Sequence, residues 1–512
     1  MRVTLLLPLV LTSAGWAGPS GPPFFDPTRK TEEQEEAADD AEKAAKQADV
    51  DEALALLGDR SVWVRDAVFE VLEERNDAQL LAGLAPHLAH KDPLVRAAVA
   101  ELFGRCRFAA AREALERYGL GAKDPETVLE SVWALERLGD AASAKPLEKL
   151  AKRGGKLGYR VQGDALIALA HLDPAAAREL ADKALEKPKG PLAIAALEAL
   201  READAQAAAR AGVATLGALS DKDPWGPRIL DAACAALRGW EARDDAALVA
   251  QAIEALIPLL EGSEGLTLHV LNQTLTDLAG VALPPQAEPW RGWWEAQREG
   301  FTPPKPGGVE PEEGETRVRY HGIPIHSRRV LFALDCSSGM TRHPVDEKDP
   351  ESPLRLTFAV MELSRVLEAL PDETLTNVIF FATQYRPMSA ALVPMGKARR
   401  AMQKFVQAEA KTPDGKGLSR SNVYDTLTLA LDDPRIDTIY LLSEGGPTEG
   451  RYRKRKRLLR HLKRHNLYSR VRVHVLQVAE GKKRTEFLEA VADDLGGRYY
   501  DLEFLRKAHD FK

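Results

Sequence analysis

Five oxygen-bearing side chains have the types and local spacing to hold a hard cation: Asp335, Ser337, Ser338, Ser421 and Glu444. Three of them fall in residues 330–340, which read Val-Leu-Phe-Ala-Leu-Asp-Cys-Ser-Ser-Gly-Met, so that an apolar run ends in a carboxylate followed at once by hydroxyls. Mg2+ and similar ions take oxygen ligands, and parallel sheets place ligands beyond the carboxyl ends of their strands. Ser421 opens Ser-Asn-Val-Tyr-Asp-Thr-Leu, just ahead of apolar Leu427, Leu429 and Ala430. Glu444 ends the apolar run 438–443 and precedes Gly-Gly-Pro-Thr.

Together these stretches resemble the metal ion-dependent adhesion site of von Willebrand factor type A domains. That site reads Asp-x-Ser-x-Ser, with a Thr and an Asp supplied by two later loops. Asp335 and Ser337 match; the fifth position is Gly339, with the second serine moved forward to Ser338. Ser421 stands where the Thr would be, and Glu444 replaces the Asp. The resemblance implies that the serines and the Thr touch the metal, that the acids act mostly through water, and that an acidic residue of a protein partner completes the shell. Mg2+ or another divalent cation and a protein partner are therefore expected. Losing a direct hydroxyl at Gly339 should cost at least ~10 to 100-fold in affinity. Glu444, longer than Asp by ~1.5 Å, offers a direct bond in its place. The alternative is that these loops are an inherited scaffold that holds no ion.

Such loops need a sheet beneath them, and the pattern supplies one. Short apolar runs at 330–334, 377–382, 438–442, 471–478 and 498–502 alternate with helical stretches at 356–370, 397–407, 423–431, 451–465 and 485–495. Strand followed by helix, repeated, means parallel strands with crossover helices and a doubly wound α/β sheet. The von Willebrand A-like domain is expected over residues 318–505.

The first half is different. Residues 51–300 are rich in Ala and Leu at helical spacing and repeat themselves: Ser-Val-Trp-Val-Arg at 61–65, Lys-Asp-Pro-Leu-Val-Arg at 91–96 and Lys-Asp-Pro-Glu-Thr-Val at 123–128 open successive helices. A period of this length means a stacked array, each unit having too little core of its own. Asp92 with Pro93 and Asp124 with Pro125 mark helix starts. The pattern resembles HEAT-type repeats, an α-solenoid, with Arg65 and Arg96 matching the family's arginine and tying one repeat to the next. The tryptophans Trp290, Trp293 and Trp294 resemble the end of such repeats in planctomycete-like exported proteins, and read as a hydrophobic cap. Residues 301–317 are a Pro/Gly linker.

Composition excludes several classes of function. With 512 residues, 45% apolar and 29% charged, and a formal net charge of -7, the chain is neither disordered nor a basic nucleic-acid binder. Residues 1–17 read as a secretory signal, so export to a periplasmic or extracellular space is expected, followed by an acidic, partly helical segment over 18–50. The apolar stretch is about half the ~20 residues of a membrane span. Cys106, Cys234 and Cys336 are too scattered for a disulfide framework or a zinc site and read as small buried apolar residues. Neither a zinc-protease helix motif, a phosphate-binding glycine loop nor a nucleophile elbow occurs, so no enzyme is expected. Residues 451–464 hold nine Lys and Arg and no acid, an amphipathic helix whose basic face is either solvated or a docking face for an anionic surface. The expectation is an exported interaction protein of the adhesion type; a metal-free envelope scaffold and, more remotely, a hydrolase using Asp335, Ser337 or Cys336 are the alternatives.

Overall fold

A computed structural model describes residues 31–153, 157–220, 222–311, 318–346, 351–410 and 420–508. The signal segment expected at 1–17 and part of the linker lie outside them. The chain folds into an N-terminal helical array and a C-terminal α/β domain.

The array builds as its pattern requires. Asp92 and Asp124 cap their helices through the backbone N–H groups of Leu94 and Thr127, at 2.9 and 2.8 Å. Arg96 donates to the carbonyls of His90 and Lys91 and pairs with Asp124 of the next repeat, as expected of a repeat-to-repeat tie. Apolar side chains between helices form one core over the first repeats and a second over the later ones. Trp290, fully buried, and Trp294 close that second core. Each indole N–H is satisfied, by Asn272 at 2.9 Å and Glu254 at 3.1 Å, so the aromatic cap carries no unpaired donor. The acidic segment is helical over Thr31–Ala45 but is not wholly solvated: Ala38, Ala41 and Ala45 are buried.

The C-terminal sheet runs, in spatial order, Tyr385–Pro387, Leu375–Phe381, Arg329–Asp335, Thr438–Ser443, Arg472–Gln477 and Tyr499–Tyr500. All pairings beyond the first are parallel. Two short antiparallel edge strands, Tyr385–Pro387 and Val393–Pro394, were not legible as apolar runs. The central strand has Phe332 against Val378 on one side and Tyr440 on the other. It is therefore buried on both faces, which is why it reads as unbroken apolar sequence. The register brings Asp335 level with Phe381 at the carboxyl edge, and the next strand ends there at Ser443.

The two halves meet along the basic helix, Arg455–Ser469. Six acids face it and the two arginines that follow it, one from each of six helices that recur once per repeat: Asp66, Glu101, Glu130, Asp164, Glu198 and Asp231, spaced 35, 29, 34, 34 and 33 residues apart. Arg457 reaches Asp66 (2.5 Å) and Glu101 (2.6 Å); Arg460 reaches Glu101 (2.7 Å) and Glu130 (2.9 Å); Arg464 reaches Asp164 (2.7 Å). Arg470 continues the ladder to Glu198 (2.9 Å) and, with Arg472, to Asp231. Asp66 also accepts the backbone N–H of Arg453 (2.7 Å), capping the basic helix from the other domain. The expected solvated face, or face for an external anionic surface, is thus corrected. These cations are spent on the chain's own array.

Candidate functional site

At the carboxyl edge of the sheet three loops converge as the motifs require. Asp335 is fully buried. Its Oδ1 accepts the Ser337 backbone N–H at 2.8 Å, and its Oδ2 accepts the hydroxyls of Ser421 at 3.0 Å and Ser443 at 2.7 Å. Burial pushes its carboxyl up to about 6, against hydrogen bonds from Ser443 and Ser337 that pull the other way. Asp335, Ser337, Ser421 and Glu444 line one cavity of about 250 Å3. Ser338 does not. It opens the short helix Ser338–Arg342 and faces a neighbouring cavity of about 430 Å3, which Glu444 also borders.

The two departures from the motif are one coupled change. A Cβ built on Gly339 would fall well inside contact distance of the Glu444 carboxylate. The longer acid fills the space that a side chain at 339 would take, so a serine there requires the Glu444 carboxylate to swing off Arg355. Glu444 is held in place by Arg355, whose Nη1 lies 2.8 Å from its Oε2 and whose side chain is 5% exposed.

Do these residues fit the cation that the resemblance implies? Ser337 and Ser421 supply hard oxygen donors beside Asp335, as such an ion needs. Against this, both oxygens of Asp335 already accept protein donors. Glu444 is committed to Arg355. Arg455 and Arg484 stand in the wall of the same cavity, packed over Gly446 and Gly445. Two carboxylates facing three guanidinium groups leave no charge for a divalent ion to neutralise, and near-octahedral geometry has too few available ligands. The residues do not fit the ion.

Sequence reasoning did not single out Ser443, Arg355, Arg455 or Arg484 for this site. The serine lay in a motif already in view, but only strand register places its hydroxyl on Asp335. The arginines come from helices whose rotation the pattern does not fix. Cys336 is buried, and desolvation pushes its thiol up to about 12, away from the thiolate form that a nucleophile needs.

A cavity of about 770 Å3 lies between the domains and not at the sheet edge. Beside it Glu101, Glu130 and His461 come within metal-ligating distance of one another. Both carboxylates already take arginines, and His461, stacked on Tyr452, is pushed down to about 4 by burial and by Arg460. That cluster is part of the seam.

With the geometry established, comparison places both halves. Residues 328–501 match the family model of the von Willebrand factor type A domain, and residues 81–170 that of HEAT repeats. No curated protein matches the chain. Among solved structures, the PilB minor pilin from Streptococcus sanguinis is 13% identical, with 37% of this chain and 62% of that one covered and a TM-score of 0.28. The human COPII-coat protein Sec24c is 13% identical over 35% of this chain and 31% of that one, with a TM-score of 0.28. The complex of CpcE and CpcF of phycocyanin lyase from Nostoc sp. PCC7120 is 19% identical over 45% and 94%, again at 0.28. This chain spans less than two-thirds of the length of the pilin and of the coat protein. The protein joins a HEAT-type helical repeat region to a C-terminal von Willebrand factor type A domain.

Proposed function

We propose that this chain is a two-part protein-interaction scaffold in which the repeats serve the type A domain. The array clamps the back of that domain and holds its sheet edge outward as the partner-binding face. The observation that carries this reading is the seam ladder, in which six repeat-spaced acids meet Arg457, Arg460, Arg464, Arg470 and Arg472. A repeat surface so engaged has little left for another partner, whereas the cavity at the Asp335 edge is lined by residues of the type A domain alone. Adhesion is then capture by the outward loops, and the divalent ion expected of them plays no part. Export fits the apolar segment at 3–11 and the scattered cysteines.

The test is to break the clamp. Arg460→Glu with Arg464→Glu sets like charges against Glu130 and Asp164, and small-angle scattering should show the radius of gyration rising as the halves part. An unchanged radius would overturn the clamp. For export, a fusion of residues 1–30 to a periplasm-dependent reporter should give signal; a silent reporter would reverse that part.

A further inference from the structure

The mismatch between the sheet edge and a metal ion points to what the edge takes in its place. Around the two adjoining cavities, four carboxylates (Asp335, Asp346, Glu444 and Glu480) face five guanidinium groups (Arg342, Arg355, Arg455, Arg484 and Arg506). Arg355 is used by Glu444, and Arg506 by Asp346 and Glu480 at 3.6 and 3.5 Å. Among the described residues, Arg484 makes no ion pair, though it borders both cavities. Arg455 pairs with no acid either; it donates to the Lys483 carbonyl and lies along Gly446. The ladder arginines of the seam, by contrast, all meet acids.

We propose that the sheet edge binds a carboxylate of its partner directly through Arg484 and Arg455, the guanidinium groups doing what a bridging cation does in related sites. This rests on the reading of the edge as the partner-binding face. A guanidinium presents paired N–H donors that match the two oxygens of a carboxylate. The glycines at 445 and 446 keep the loop between the two arginines low, since a Cβ at either would stand 3.1 Å from an arginine atom. The buried carboxyl of Asp335 and the Arg355-bound Glu444 border the same space. They repel a phosphate dianion more strongly than a single carboxylate, which selects an acidic side chain over a phosphorylated one.

The experiment uses the full chain in EDTA, with a fluorescein-labelled acetyl-tetraglutamate peptide followed by anisotropy. Expected is saturable binding that persists in EDTA and weakens as salt rises. Arg484→Gln and Arg455→Gln should each weaken it about tenfold, with melting curves unchanged, and Arg117→Gln on the array should leave it intact. Inorganic phosphate should compete more weakly than succinate. Absence of binding in EDTA, binding that appears only with Mg2+, indifference to Arg484→Gln, or stronger competition by phosphate would each overturn the proposal. The clamp is read separately by scattering on the seam variants, so failure at the edge and failure of the scaffold are distinguishable.

Discussion

The domain seam and the sheet edge are both rich in arginine, and they use it in opposite ways. At the seam every rung is closed: Arg457, Arg460, Arg464 and Arg470 each touch one or two buried acids, and Asp231 is held down to about 2 by Arg472 and Arg470 despite full burial. Aromatic faces take up the remaining cation surface, with Arg457 over Phe69 and Arg460 over Trp133, each at 4.0 Å. At the edge guanidinium groups outnumber carboxylates, and among the described residues three of them, Arg342, Arg455 and Arg484, pair with no acid. Buried charge that is fully matched specifies one arrangement of two bodies, while unmatched charge at a solvent-facing cavity is held ready for something outside the chain.

The comparison breaks most visibly at the seam. Removing one partner of a buried ion pair leaves the other charge stranded and costs ~3–5 kcal/mol. Arg457→Ala takes the guanidinium from both Asp66 and Glu101, two buried acids, so urea unfolding should lose stability of that order. Arg484→Ala, at the edge, should change stability by less than ~0.5 kcal/mol. Equal losses at the two positions would mean that pairing does not separate the regions.

The coupling of the two altered positions at the edge can be tested in the same way. Gly339→Ser alone sets a side chain against the Glu444 carboxylate, which must swing off Arg355, and should cost roughly 1–3 kcal/mol. Adding Glu444→Asp withdraws the obstructing carboxylate, and the double variant should regain stability in urea unfolding. It still sets Arg355, Arg455 and Arg484 against two carboxylates, so neither it nor the parent should show a melting temperature that climbs with Mn2+ concentration. A double variant no more stable than Gly339→Ser would show that the two positions are not coupled in the way the geometry indicates, and a climb with Mn2+ in either protein would show that the guanidinium groups do not exclude the ion.

What was legible in the sequence divides along the same line. The parallel strands, their crossover helices, the helix starts at Asp92 and Asp124 and the tryptophan cap all follow from local pattern, because burial on both faces or on one stripe leaves a periodic trace. The convergence of Asp335, Ser337 and Ser421 was legible too, since each sits at the end of a recognisable strand or start of a helix. The seam was not, although its signal was present: an acid recurring every 29 to 35 residues, once per repeat, and a run of nine cations with no acid of its own. Each half reads as a solvated face when considered alone. Only pairing the two shows that one neutralises the other. Gly339 and Glu444 were likewise read separately, one as a lost ligand and the other as an added reach, because contact between residues 105 apart has no sequence period.

Acid distinguishes the two regions with opposite sign, and this is the smallest of the expected effects. At the edge, burial raises the Asp335 carboxyl from 3.8 to about 6. The unfolded chain therefore releases this proton first, and stability that is complete below about pH 4 is lost as pH rises to about 6. At the seam, burial and Arg460 lower His461 from 6.5 to about 4. Its contribution is complete above about pH 6.5 and is lost as pH falls to about 4. Each is worth at most ~3 kcal/mol, at ~1.4 kcal/mol per pKa unit, and their opposition hides both in a single melting curve. Difference curves separate them: Asp335→Asn should gain on the parent as pH rises from 4 to 6, and His461→Gln should gain as pH falls over the same interval. If the two difference curves sloped the same way, one of these groups would be solvated, and the contrast between a closed seam and an edge built on a dry carboxyl would fail at that group.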